Sequence, residues 1–132
     1  MTTASEPARA AYMRGLSFFG KDQFEEAIAS HDEALAAAPD WSDPMHAKGM
    51  ALLKWGKLEE ALAVLLRVTV LAPTDPLAFT SLSMAYVRME RIDEAEDAQA
   101  KARMMAWQLE VQSNPNAPKP DMGPPPDAKP AG

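Results

Sequence analysis

The side chains able to do acid–base or metal chemistry are few, and their spacing does not suit it. The chain holds two histidines, His31 and His46, and no cysteine, which removes disulfides, thiolate metal sites and cysteine nucleophiles together. His31 precedes Asp32 and Glu33, and His46 follows Asp43 by three residues. A metal or general-base site needs convergent partners, and neither histidine has another at i+3 or i+4. Helical spacing brings Asp43 towards His46, but an aspartate there serves better as a helix cap. The paired acids Glu25, Glu26 and Glu59, Glu60 fall in first turns of helices, where carboxylates favour the helix dipole by roughly 0.3–1 kcal/mol each. There is no glycine-rich phosphate loop. The chain reads as a non-enzyme, with no catalytic residue, no metal and no cofactor.

The elements that carry these side chains must bury a core, and 47% of the 132 residues are apolar. Seven of the twelve prolines lie between positions 115 and 130. That clustering separates a body ending near 112 from a tail over 113–132, expected to be extended and mobile because it cannot offset its ordering entropy. Residues 1–7 are polar, lack the apolar stretch of a signal peptide, and are expected to be flexible. No apolar run approaches the roughly 20 residues that span a bilayer. The net charge is −6, with thirteen Lys and Arg scattered among nineteen acids and no basic run of three. A phosphate-binding surface needs a basic patch, so neither nucleic acid nor anionic membrane is expected as a partner. A cytoplasmic protein is the expectation.

The organisation of the body follows from an internal period. Gly15 and Gly49 are 34 residues apart, as are Pro39 and Pro73, and Glu26-Ala27 recurs as Glu60-Ala61 and Glu94-Ala95. Each period predicts two helices. In the first, apolar and small residues recur at helical spacing over 8–19, a break falls at 20–22, and a second helix runs over 23–37 until Pro39 stops it. The second unit repeats this with helices over 44–53 and 58–71, closed by Pro73. Pro76 suits the first turn of the next helix, where its missing donor does no harm. The third unit lacks a closing proline, so its second helix is predicted to continue to about 112.

These residues resemble the tetratricopeptide repeat. Its first-helix slots are held here by Ala11, Arg14, Gly15 and Phe18, then Met45, Lys48, Gly49 and Leu52, then Phe79, Leu82, Ser83 and Tyr86. Its second-helix slots are held by Ala27, His31, Ala34 and Pro39, then Ala61, Leu65, Val68 and Pro73, then Ala95, Gln99, Ala102 and Trp107. The third unit departs most, with Ser83 for glycine, Glu90 at the usual turn glycine and Trp107 for the closing proline. The resemblance implies an all-α fold: three helical hairpins, over about 8–41, 42–75 and 76–109, stacked in a right-handed superhelix with an extended final helix. A hairpin cannot bury its apolar face alone, so the three must share one core.

The resemblance also implies a binding wall lined by the first helix of each unit. By phase, Arg9, Tyr12, Leu16 and Phe19 come from the first unit, Asp43, His46, Met50 and Leu53 from the second, and Leu77, Thr80, Met84 and Val87 from the third. The positions matching the Lys/Asn/Arg clamp, with which some family members grip a chaperone's terminal carboxylate, hold Tyr12, Leu16, Ala47, Leu77 and Ser81. None of these is a cation or an amide. The expected function is a protein-interaction module, an adaptor or small chaperone similar to those of bacterial secretion systems, that holds a partner peptide in an apolar, methionine-lined groove. The alternative is a self-assembly unit that forms homodimers through Met105, Trp107 and Leu109 on the final helix.

Overall fold

The computed structural model describes residues 5–122, which form six helices and no strand. They are α1 (Glu6–Gly20), α2 (Phe24–Ala37), α3 (Ser42–Trp55), α4 (Leu58–Leu71), α5 (Pro76–Arg88) and α6 (Ile92–Ser113). Consecutive helices pair as antiparallel hairpins α1/α2, α3/α4 and α5/α6, and the hairpins stack through α2 on α3 and α4 on α5. The first helices also touch one another, α1 with α3 and α3 with α5, whereas α2, α4 and α6 do not. The α1, α3, α5 side is therefore the shorter, inner side of the stack.

Local chemistry sets the helix ends. Ser5 caps α1, its Oγ accepting from the Ala8 N–H at 3.3 Å, with a proline in the first turn. The helix thus starts two residues before the predicted Ala8. Asp75 caps α5 by accepting from the Leu77 N–H at 3.0 Å, and Pro76 follows at the position where a lost donor costs nothing. Asp43 does not cap: α3 begins at Ser42, and the Asp43 carboxylate instead accepts from the Trp41 indole at 3.2 Å.

Each hairpin turn closes in the same way. The N–H groups of Gln23, Lys57 and Arg91 bond the carbonyls of Phe18, Leu52 and Tyr86, each at 2.9 Å. The residue before each adopts a positive φ: Asp22 (58°), Gly56 (90°) and Glu90 (61°). This is the left-handed helix terminator, and only Gly56 takes it without a Cβ clash.

The hairpins are close because small residues face large ones across them. A Cβ on Gly49 would sit 2.6 Å from Leu65 Cδ2, and a Cβ on Gly15 would sit 2.6 Å from His31 Nδ1 and 2.7 Å from its Nε2. In the third hairpin Ser83 takes the glycine's place, and its hydroxyl donates to the Ala95 carbonyl at 2.8 Å. The main core joins the last two hairpins, with Leu52, Leu53, Leu62, Leu65, Leu82 and Tyr86 among its members. The first hairpin is built on smaller groups, Ala8, Ala11, Gly15, Ala27 and Ala34, around His31.

Residues 1–4 and 123–132 fall outside the described residues, and with them most of the predicted flexible N-terminus and half of the predicted mobile tail. The part of the tail that is described begins with a turn, and Ala117 is buried.

Candidate functional site

The 34-residue phase predicts four rows of wall residues, and each row meets a different environment. Arg9, Asp43 and Leu77 form the outermost row and are all exposed, Leu77 at 63%. Leu16 (38%) and Met84 (45%) present their side chains to solvent, while Met50 between them is half-buried against the core. In the last row Phe19 is half-buried, Val87 is 52% exposed and Leu53 only 3%. Leu53 is a core residue and leaves the wall. It sits in the middle hairpin, covered from both sides, and its carbonyl accepts a hydrogen bond from Arg88 of the next unit.

The remaining row is occupied internally. Tyr12 is half-buried, with its ring 5.0 Å from Trp41 edge to face and 5.7 Å from His31. Burial, with the Asp43 charge second, pushes its hydroxyl above the ordinary tyrosine range. His46 Nε2 lies 2.6 Å from Ser81 Oγ, so this pair clasps α3 to α5. Thr80 turns its hydroxyl to its own helix, donating to the Pro76 carbonyl at 3.1 Å. Tyr12 and His46 thus link neighbouring units while Thr80 bonds within its own helix, and the open apolar surface is made by Leu16, Leu77, Met84 and Val87.

A serine on a histidine, with Asp43 and Asp75 charges nearby, has the composition of a nucleophile and its base. Its setting does not fit catalysis. Ser81 is 6% exposed and sits mid-helix in α5, where the neighbouring backbone N–H groups are spent on the helix and none is free to hold an oxyanion. Burial lowers the His46 pKa, against the opposing pull of Asp75 and Asp43, so the ring is neutral at neutral pH. Among the described residues no group of three His, Asp or Glu side chains could hold a metal, and no helix is long and apolar enough to cross a membrane.

His31 is the other unusual side chain. It is fully buried on α2, and neither ring nitrogen meets a hydrogen-bond partner. Burial lowers its pKa, opposed by Asp32. It occupies the position that Leu65 holds one repeat later, and it fills the space that Gly15 leaves. Its role is packing.

On the outer side, Leu66, Thr69, Phe79, Leu82 and Tyr86 line a cavity of about 230 Å³ between α4 and α6, rimmed by Glu94, Asp97 and Lys101. This hollow lies outside the predicted wall, because second-helix faces fall outside the rows that the repeat phase defines.

The helical stack and its repeat phase find their counterpart in a family model, the Psidin N-terminal TPR repeats region, which matches residues 17–112. The chain belongs to the tetratricopeptide-repeat family. Solved structures agree in fold. The TPR2B domain of yeast Sti1 in complex with an Hsp70 peptide superposes with a TM-score of 0.77 at 21% identity, over 84% of this chain and 89% of that one. The second TPR of Spaghetti (RPAP3), bound to the HSP90 peptide SRMEEVD, gives 0.71 at 24%, over 76% and 93%. The translocator chaperone SycD of the Yersinia enterocolitica type III secretion system gives 0.75 at 14%, over 83% of each chain. No curated protein sequence matches this chain.

Proposed function

We propose that this tetratricopeptide-repeat chain is a non-enzymatic interaction module that holds an apolar segment of a partner protein along the wall of α1, α3 and α5. The observation that carries the reading is the exposure of Leu16, Leu77, Met84 and Val87, between 38% and 63%, on that inner side. Large apolar side chains left in water there gain free energy only when something covers them. The structural neighbours from Sti1 and RPAP3 hold chaperone peptides, which supports peptide capture as the mode. It does not support the same ligand, because Tyr12, Leu16, Ala47, Leu77 and Ser81 offer no cation to a terminal carboxylate, and Ser81 is already engaged by His46. An apolar segment suits the wall better.

The test uses Leu16→Glu combined with Met84→Glu in the full chain, with Leu66→Glu on the outer side as a control. Partner capture should drop at least tenfold in the wall variant and stay unchanged in the control, with equal helicity by circular dichroism. Equal capture by all three proteins rejects the wall.

A further inference from the structure

The last helix carries two half-apolar stripes, and only one of them packs on the rest of the fold. Ala95, Ala98 and Ala102 recur at i, i+3 and i+7 and are buried, against α5, the one helix that α6 touches. Ala100, Arg103, Met104, Trp107 and Val111 follow the same spacing on the opposite side of α6. Among the described residues no helix lies there, yet all five are half-buried.

The segment that follows Ser113 reaches this side of α6 at Trp107. It turns back at 114–117, where Asn114 accepts from the Asn116 N–H at 3.2 Å with its side chain and from the Ala117 N–H at 3.0 Å with its carbonyl. The Trp107 indole then donates to the Ala117 carbonyl across 3.1 Å. Ala117 is 7% exposed, and Pro120 and Met122 beyond it are half-buried. Three prolines within this stretch, Pro115, Pro118 and Pro120, restrict the unbound chain and lower the entropy lost on docking.

Met105 and Leu109, the latter 47% exposed, lie on the side of the helix that carries Ala98 and Ala102, opposite Trp107, so the three do not form one stripe. The surface that matters is the one under the strap. Once bared, it offers Met104, Trp107 and Val111 in a row, with Arg103 and Glu110 seven residues apart along its margin. Two antiparallel copies of such a stripe match each other about a two-fold axis, and the cation of each copy meets the anion of the other twice over.

We propose that residues 114–122 form a displaceable strap that closes the C-terminal end of the stack, and that its release turns the far side of α6 into an interface with a second copy of this chain. The strap and the second copy compete for Trp107, so the tail sets the oligomeric state.

The full chain carrying Ala117→Arg tests this, because a long charged side chain cannot lie in the buried place of Ala117. Wild type should sediment as a monomer with a protected Trp107 indole N–H. The variant should exchange that proton roughly tenfold faster, as loss of one hydrogen bond implies, and should become a dimer with rising concentration. Adding Trp107→Glu should restore the monomer. Adding Trp107→Phe instead, which deletes the donor and shrinks the bicyclic indole to a single aromatic ring, should give a weaker dimer at unchanged helicity. A variant that stays monomeric at every concentration, a dimer that survives Trp107→Glu, or a wild type that dimerises as readily as the variant overturns the proposal.

Discussion

His31 offers the sharpest test of how this core is built. Replacing it by leucine puts at position 31 the side chain that position 65 already carries in the next repeat, opposite a glycine in both cases. Two effects favour the variant. A buried polar group with no partner costs about 1–3 kcal/mol, and both ring nitrogens of His31 are in that state. Leucine also adds apolar contact in the thinnest part of the core, offset in part by the tilted ring contact with Tyr12 at 5.7 Å, worth about 0.5–1.5 kcal/mol. The net expectation is a gain of about 1–2 kcal/mol, read from urea unfolding followed by circular dichroism. The gain should grow on acidification, with the following sign. The folded pKa of His31 is lowered, so below the ordinary value of about 6.5 the unfolded chain binds the proton first and wild-type stability falls, by at most about 1.4 kcal/mol per pH unit for this group. His31→Leu removes that slope and leaves the parts of His46, whose pKa is also lowered, and, at lower pH, of Glu94, whose carboxylate is held below its ordinary range by the hydrogen bond from Arg91. A variant less stable than wild type at neutral pH, or one with an unaltered acid slope, refutes this account of the site.

Gly49→Ala should destabilise the fold despite the higher helix propensity of alanine, since its Cβ meets Leu65 at 2.6 Å. Overpacking of about 1–3 kcal/mol exceeds a propensity gain of about 1 kcal/mol, whereas Gly20→Ala, with open space around it, should be neutral or stabilising in the same denaturation assay. Glu90→Gly should raise stability by about 1 kcal/mol, because Glu90 holds φ 61° where a Cβ is unfavourable; a thermal melt shows it as an upward shift. Ser81→Ala should loosen the seam between the second and third hairpins. It leaves His46 without its partner at a cost of about 1–3 kcal/mol, and hydrogen exchange should rise first in α5 and α6.

Most of the scaffold was legible in the sequence, because close helix contacts demand small residues and the demand recurs every 34 positions. Gly15, Gly49 and Ser83 mark it directly, and Pro39 and Pro73 mark the ends. The hairpin turns were half legible: Gly56 declares a left-handed residue, while Asp22 and Glu90 adopt the same conformation under side chains that do not announce it. The wall was less readable. Repeat phase treats Phe19, Leu53 and Val87 as equivalent, yet burial depends on how many hairpins flank each one, and only Leu53 has a hairpin on both sides. The clasp between His46 and Ser81 spans one repeat plus one residue, a spacing that brings adjacent first helices face to face and could have been searched for. The docking of Ala117 on Trp107 leaves no periodic trace, since a proline-bearing segment that bonds through its backbone needs no apolar pattern.

The central claim is that the inner side of α1, α3 and α5 receives a partner's apolar segment. A photo-crosslinking amino acid placed at Met84, and separately at Val70 on the outer side, measures this in the intact chain. Adducts with one partner polypeptide at position 84 and none at 70 are the predicted result. Strong adducts at 70 with none at 84 would contradict it.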